Sequence, residues 1–127
     1  SRQLHFSNAG QLYPLCFHRK ENRWEYLQLS GLPLGIKPDV LYKSGQIQLK
    51  PGDRVVFYTD GLVESRNTQK AIFGFERFEE LLRGSADLSA KQTIEYILRA
   101  LQDYTGHQEP DDDLTLAVLD VWKDQQD

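Results

Sequence analysis

Hydrophobic and polar positions fall into two regimes along the chain. Over roughly the first half they alternate in short runs bounded by Gly, Pro and Asn, the period-two pattern of strands. The most apolar of these runs is Asp53-Arg54-Val55-Val56-Phe57-Tyr58-Thr59-Asp60-Gly61. Val55, Phe57 and Thr59 line one face and Val56, Tyr58 and Asp60 the other, which predicts a central strand covered on both sides. Pro51-Gly52 ahead of it has the residue types of a type II turn, with Gly where φ is positive. Upstream, Gln3 to Ser7 alternates weakly into an Asn8-Ala9-Gly10 turn. Leu12 to His18 reads as a strand interrupted by Pro14, which predicts an edge position or a bulge. Lys20 to Arg23 is a polar turn, and Trp24 to Leu29 returns as the hairpin partner. Gly31 to Ile36 reads as a Gly/Pro-punctuated loop with its apolar residues tucked under it, and Ile47 to Leu49 as a short strand.

The second regime is helical. After a polar, loop-like Leu62 to Ala71, Phe75, Phe78, Leu81 and Leu82 recur at helical spacing, with Glu79 and Arg83 paired on the wet side and Gly84 as a stop. Ser89 with Gln92 forms a capping box for a second helix, whose buried stripe is Ile94, Ile97, Leu98 and Leu101 and whose end is Gly106. Leu114 to Trp122 is apolar on both faces and predicts another central strand. Strands, two helices and a strand give an α+β class with antiparallel sheet and a helix pair over one face. Residues 1–122 form the domain and residues 123–127 a polar tail.

Composition narrows the function. The chain has 127 residues, a net charge of -4 and no Lys/Arg cluster, which argues against a nucleic-acid surface. It shows no signal peptide and no long apolar span, so no membrane crossing or anchor is expected. The single cysteine, Cys16, excludes an internal disulfide and a cysteine-rich zinc site, and reads as a small core residue. A start at Ser1 and the absence of methionine read as a piece of a longer protein. The expectation is an acidic, soluble, cytoplasmic domain.

The candidate chemistry lies in carboxylates. Asp60 leaves a core strand, and Asp111-Asp112-Asp113 precedes one. If the two strands are antiparallel neighbours, Asp60 and Asp112 meet at one end of the sheet. With no His or Cys at ligand spacing, that set suits Mg²⁺ or Mn²⁺ rather than zinc. Paired ions of this kind activate water and neutralise phosphate oxygens. The alternative is a solvated acidic loop with a strand cap, which spacing alone favours because acidic turns are far commoner than metal sites. His5, His18 and His107 show no ligand spacing, and Trp24 and Trp122 read as core or interface fillers.

Several short motifs occur in order: Asn8-Ala9-Gly10-Gln11, Gly31-Leu32-Pro33-Leu34-Gly35, Leu49-Lys50-Pro51-Gly52-Asp53, Tyr58-Thr59-Asp60-Gly61-Leu62-Val63-Glu64, Phe73-Gly74-Phe75-Glu76-Arg77 and Asp112-Asp113-Leu114-Thr115. Together, from about Leu4 to Val121, they resemble the C-terminal half of the PP2C-type (PPM) serine/threonine phosphatases, in the bacterial SpoIIE/RsbU branch. The resemblance implies part of an α-β-β-α sandwich, incomplete in this chain, with a two-metal Mn²⁺ or Mg²⁺ centre at one edge of the paired sheets. It assigns metal ligation to Asp60 and Asp112, with Gly61 beside the metals by its backbone. A metal-bound water, not a side chain, is then the nucleophile.

Asp113 and Thr115 take supporting roles in that scheme, and Glu64 and Asp111 are weaker candidates. Arg66 and Lys70 are candidate phosphoprotein contacts, although a solvated loop is the plainer reading. Gln11 stands where the family commonly has histidine, a change expected to be structural. The family's N-terminal Gly-Asp ligand motif is not in this chain, so weak metal binding and no catalysis are expected of it alone, with completion by a swapped dimer or another chain. Implied partners are a phosphorylated STAS-type anti-sigma antagonist as substrate and an upstream sensor or receiver domain. The competing reading is a non-catalytic or regulatory interaction module. A haloacid-dehalogenase-type site would need an aspartate where Tyr58 stands.

Overall fold

The computed structural model describes residues 2–122; the expected polar tail at 123–127 lies outside the described residues. These residues divide into two compact units, 2–56 with 119–122, and Phe57–Val118. Six strands and three α-helices occur among them: β1 (Gln3–Phe6), β2 (Leu15–His18), β3 (Arg23–Tyr26), β4 (Gly45–Gln48), β5 (Arg54–Tyr58), α1 (Asp60–Val63), α2 (Phe75–Gly84), α3 (Ala90–Thr105) and β6 (Leu116–Asp120). β1 and β4 form an antiparallel two-stranded sheet, and the other four strands form a sheet of order β3-β2-β5-β6. The α+β class with antiparallel sheet is as expected, and the central place of β5 with it.

In the first unit the β2–β3 hairpin turns through a 3₁₀ segment at Arg19–Glu21 and through Asn22, at φ 49°. Its core gathers Leu15, Cys16, Phe17, Leu27, Leu49, Val55 and Val56, and Phe17 stacks on Trp24 at 4.7 Å. Cys16 is a core residue as read: burial first, then the Asp53 and Glu25 charges, push its thiol up to about 12. The turn into β5 also forms as expected, with Gly52 at φ 95° and the Asp53 amide donating to the Lys50 carbonyl at 3.0 Å. Asp53 ties that turn down, its carboxylate accepting from the backbone amides of Lys50 (2.9 Å) and Arg19 (3.2 Å). Beside it, Arg54 is buried at 1% exposure and forms a bidentate pair with Asp120, at 2.6 and 3.0 Å.

Three expectations for this unit are corrected. Pro14 does not interrupt β2 or push it to an edge: the strand starts after it, between β3 and β5, and the Pro14 carbonyl still accepts from the Leu27 amide at 2.8 Å. The apolar residues of the 31–36 loop are not tucked under. Leu34 is 78% and Ile36 61% exposed; the loop packs closely at Gly31 instead, where a Cβ would lie 1.9 Å from the Asn8 carbonyl oxygen. Trp122 is 83% exposed, so of the core or interface role expected of it the core one is corrected.

In the second unit Tyr58, Leu62, Val63, Phe73, Phe78, Leu82, Ile97 and Leu101 are buried together. The Ser89–Gln92 capping box opens α3 and Gly106, at φ 69°, ends it; Glu79 and Arg83 pair at 3.5 Å. The structure corrects the start of the loop after Asp60: Leu62 and Val63 belong to α1 and are buried. It corrects β6 as well, which has one neighbour in the sheet and alternates half-buried with exposed positions, Leu119 at 43%. Two-sided apolarity marks a strand meant to be covered, and no described element covers its outer positions. No described helix is long and apolar enough to cross a membrane.

Candidate metal-binding site

The site grows from the way β5 ends. Thr59 donates its amide to the Thr115 carbonyl at 3.2 Å, and the Thr115 amide donates to the Thr59 hydroxyl oxygen at 2.9 Å. With the bond from the Gly52 amide to the Val121 carbonyl, this register makes β5 and β6 antiparallel. The residue after Thr59 and the residues before Thr115 therefore emerge at the same end of the strand pair. Asp60 is not the last strand residue, as expected from sequence, but the first of α1, because the chain coils at once and the Glu64 amide bonds the Asp60 carbonyl at 2.9 Å.

Gly61 has a steric role. A Cβ there would lie 2.0 Å from the Asp113 carbonyl oxygen and 3.4 Å from that of Asp112. Only glycine lets the acidic loop settle on α1 so closely. Beside this contact is a cleft of about 120 Å³ lined by Gly61, Glu64, Ser65, Arg66, Asp111 and Asp112. The weaker candidates Glu64 and Asp111 thus share a cleft with Asp112, Asp60 flanks it at Gly61, and Asp113 serves through its backbone.

The oxygens differ in how they are held. The Asp60 carboxylate is exposed and has no hydrogen bond or ion pair to any described residue. Asp112 accepts from the Asp113 amide through Oδ1 at 2.7 Å, which steadies the carboxylate, and its Oδ2 bonds no described residue. The Gly61 carbonyl accepts from the Ser65 hydroxyl at 2.6 Å and keeps a second lone pair. Ser65 escaped the sequence reading; its signal was the four-residue spacing from Gly61 on a helical turn. Behind the site, the Tyr58 hydroxyl is buried without a partner among the described residues. Burial first, then the charges of Glu79 and Asp60, push it up to about 12.

This donor set is hard oxygen throughout, with carboxylates and a carbonyl and no nitrogen or sulfur. It fits Mg²⁺ or Mn²⁺, which bind through one or two carboxylates and fill the remaining positions with water and substrate phosphate. Among the described residues no three His, Cys, Asp or Glu side chains converge as a metal-holding group, so the set is partial.

The family model described as Stage II sporulation protein E (SpoIIE) matches residues 1–122. The chain belongs to the SpoIIE family. It is 32% identical over 120 residues to the phosphoserine phosphatase RsbU of Bacillus subtilis, covering 92% of this chain and 34% of RsbU. Among solved structures it is similar to the SiaA-PP2C domain of Pseudomonas aeruginosa, with a TM-score of 0.79 and 24% identity over 94% of this chain and 46% of that one. The PP2C phosphatase domain of SpoIIE from Bacillus subtilis gives a TM-score of 0.70 and 19% identity over 94% of this chain and 34% of that one. The chain is a fragment of the PP2C-type fold in the SpoIIE/RsbU branch, and it spans about a third of RsbU's length.

Proposed function

We propose that the complete protein is a metal-dependent phosphatase of phosphoserine or phosphothreonine in a protein substrate, and that this chain supplies Asp60, Asp112 and the Gly61 backbone to its metal centre. The observation that carries this reading is the antiparallel end of β5 and β6, where Asp60, with no partner among the described residues, and Asp112, held by a single backbone amide, leave the same end of the strand pair and a glycine is required by close packing. Kinship with RsbU, itself named a phosphoserine phosphatase, supports the reaction. Structures of the SpoIIE phosphatase domain presoaked with Mn and of RsbX in complex with magnesium support the metal.

A divalent cation at this position supplies charge neutralisation on the phosphate and a nucleophile from water at neutral pH. The chain's own residues hold and orient. Asp112 is set by its bond to the Asp113 amide, Asp60 stands free to bind, and the Thr59–Thr115 bonds keep their two strand ends in register. The substrate we propose is a phosphorylated STAS-type antagonist in sigma-factor control, in the cytoplasm, with an upstream sensor or receiver domain governing activity.

The test is Mn²⁺-dependent phosphate release from phosphoserine protein by the complete protein, with Asp60→Asn and Asp112→Asn as controls. Release that needs the metal and collapses in both variants is expected. Release indifferent to Asp60, or none across phosphoproteins, would replace this reading with the non-catalytic interaction module.

A further inference from the structure

A second, larger hollow of about 370 Å³ lies beside the acidic cleft in the same unit, between the C-terminal half of α3 and the 107–114 loop. Its volume is in the range of about 300–1,000 Å³ usual for ligand sites. Leu98, Leu101 and Leu114 give it apolar lining, while Gln102 and Gln108 bring side-chain amides that can both donate and accept. Ser65, Arg66 and Asp111 line both this hollow and the acidic cleft, so the two adjoin.

Arg66 stands at the junction. It is the cation in a cleft whose other charged lining groups are Glu64, Asp111 and Asp112, and its side chain pairs with no described residue. Its backbone is held: Arg66 bridges Ile72 across a tight loop in which the Asn67 carboxamide oxygen accepts from the amides of Gln69 (3.0 Å) and Ala71 (2.9 Å). A guanidinium fixed at its base and free at its tip is suited to a phosphate oxygen.

We propose that this hollow is the seat for the polypeptide flanking the phosphoresidue, with Arg66 on the phosphate and an apolar side chain, two to four residues away on one side, against the leucines. This rests on the phosphatase reading, and it names what selects the substrate at that site. The shared lining with the acidic cleft argues for this occupant, because a chain whose phosphate lies in the small cleft has only a short way to run past Arg66 into the larger one. A partly buried aliphatic side chain in such a seat contributes on the order of tenfold in affinity.

The experiment uses the complete protein stripped of metal, so that binding is read without turnover. Two fluorescent pools of phosphoserine nonapeptides serve as probes, one with Leu or Ile at the two to four positions after or before the phosphoserine, the other with Gly and Ser there. The wild type is expected to bind one apolar pool about tenfold more tightly than the Gly/Ser pool. Gln102→Trp, at an exposed helix position that tolerates the ring, is expected to abolish the preference, and Arg66→Gln to weaken both pools. No preference, or a preference that survives Gln102→Trp, overturns the proposal. So does a fall in the thermal midpoint of Gln102→Trp without peptide binding, which would give the hollow to another segment of the protein. Turnover of the same pools with Mn²⁺ separates the two ideas: hydrolysis without preference leaves the phosphatase and sinks the seat, whereas preference without hydrolysis does the reverse.

Discussion

The strand pair β5–β6 carries an acid near each end, and the two ends treat it in opposite ways. At one end Asp120 is clasped by Arg54, both guanidinium bonds made and the arginine buried. At the other, Asp60 is exposed with no partner among the described residues, and Asp112 is steadied by one amide. The first arrangement neutralises charge and locks two strands. The second leaves charge uncompensated at a fixed place, which stabilises nothing by itself and is what a cation site requires. One pair of strands thus separates a structural acid from candidate functional ones by their partners alone.

The largest effect is expected at the clasped end. Asp120→Ala takes the bidentate carboxylate from a buried guanidinium and should cost up to about 3 kcal/mol in denaturant unfolding, whereas Arg54→Met with Asp120→Leu should restore most of it. A small loss in Asp120→Ala would mean the pair is not the lock described. The open end should respond inversely. In the complete protein, Asp60→Asn should lower metal-dependent phosphate release by at least about a hundredfold, roughly 2.7 kcal/mol, and leave the unfolding midpoint nearly unchanged. A clear stability change in that variant would make Asp60 a structural acid like Asp120.

Gly61→Ala sharpens the contrast further. Its methyl must displace the Asp113 backbone, so a loss of about 1–3 kcal/mol is expected together with weaker metal binding, read by calorimetry. The smallest effect concerns Tyr58. Its folded-state value of about 12 lies above the ordinary value of 10.0, so the stability it contributes is intact below pH 10 and falls as pH rises towards 12. Tyr58→Phe should remove that share of the alkaline loss, leaving the Cys16 share, and should gain up to about 1 kcal/mol at neutral pH by deleting an unpartnered hydroxyl. Unfolding midpoints across pH 8–12 check both.

Much of this was legible in the sequence because it is local. The capping box at Ser89, the Gly106 stop, the Pro51-Gly52 turn and the apolar run of β5 each depend on residues within a few positions of one another, and each formed. Ordered motifs carried the family. The helical stripes were legible too, although Phe75 is 42% exposed while Phe78 and Leu82 are buried, since periodicity gives a face and not its depth.

Tertiary structure decided what depends on partners distant in the chain. Arg54 and Asp120 are 66 residues apart, and nothing near either announces the pair. The steric demand at Gly61 comes from Asp113, whose backbone reaches it only once β5 and β6 are in register. Pro14 looked like an edge marker because proline lacks a donor, yet its place just before an inner strand shows only when the sheet order is known. The sequence determined the elements and the residue types of the site, since backbone propensity and hydrophobic period act over a turn or two. Register and close approach determined which acids are clasped and which stand open, because those are fixed by contacts the chain makes only after it has folded.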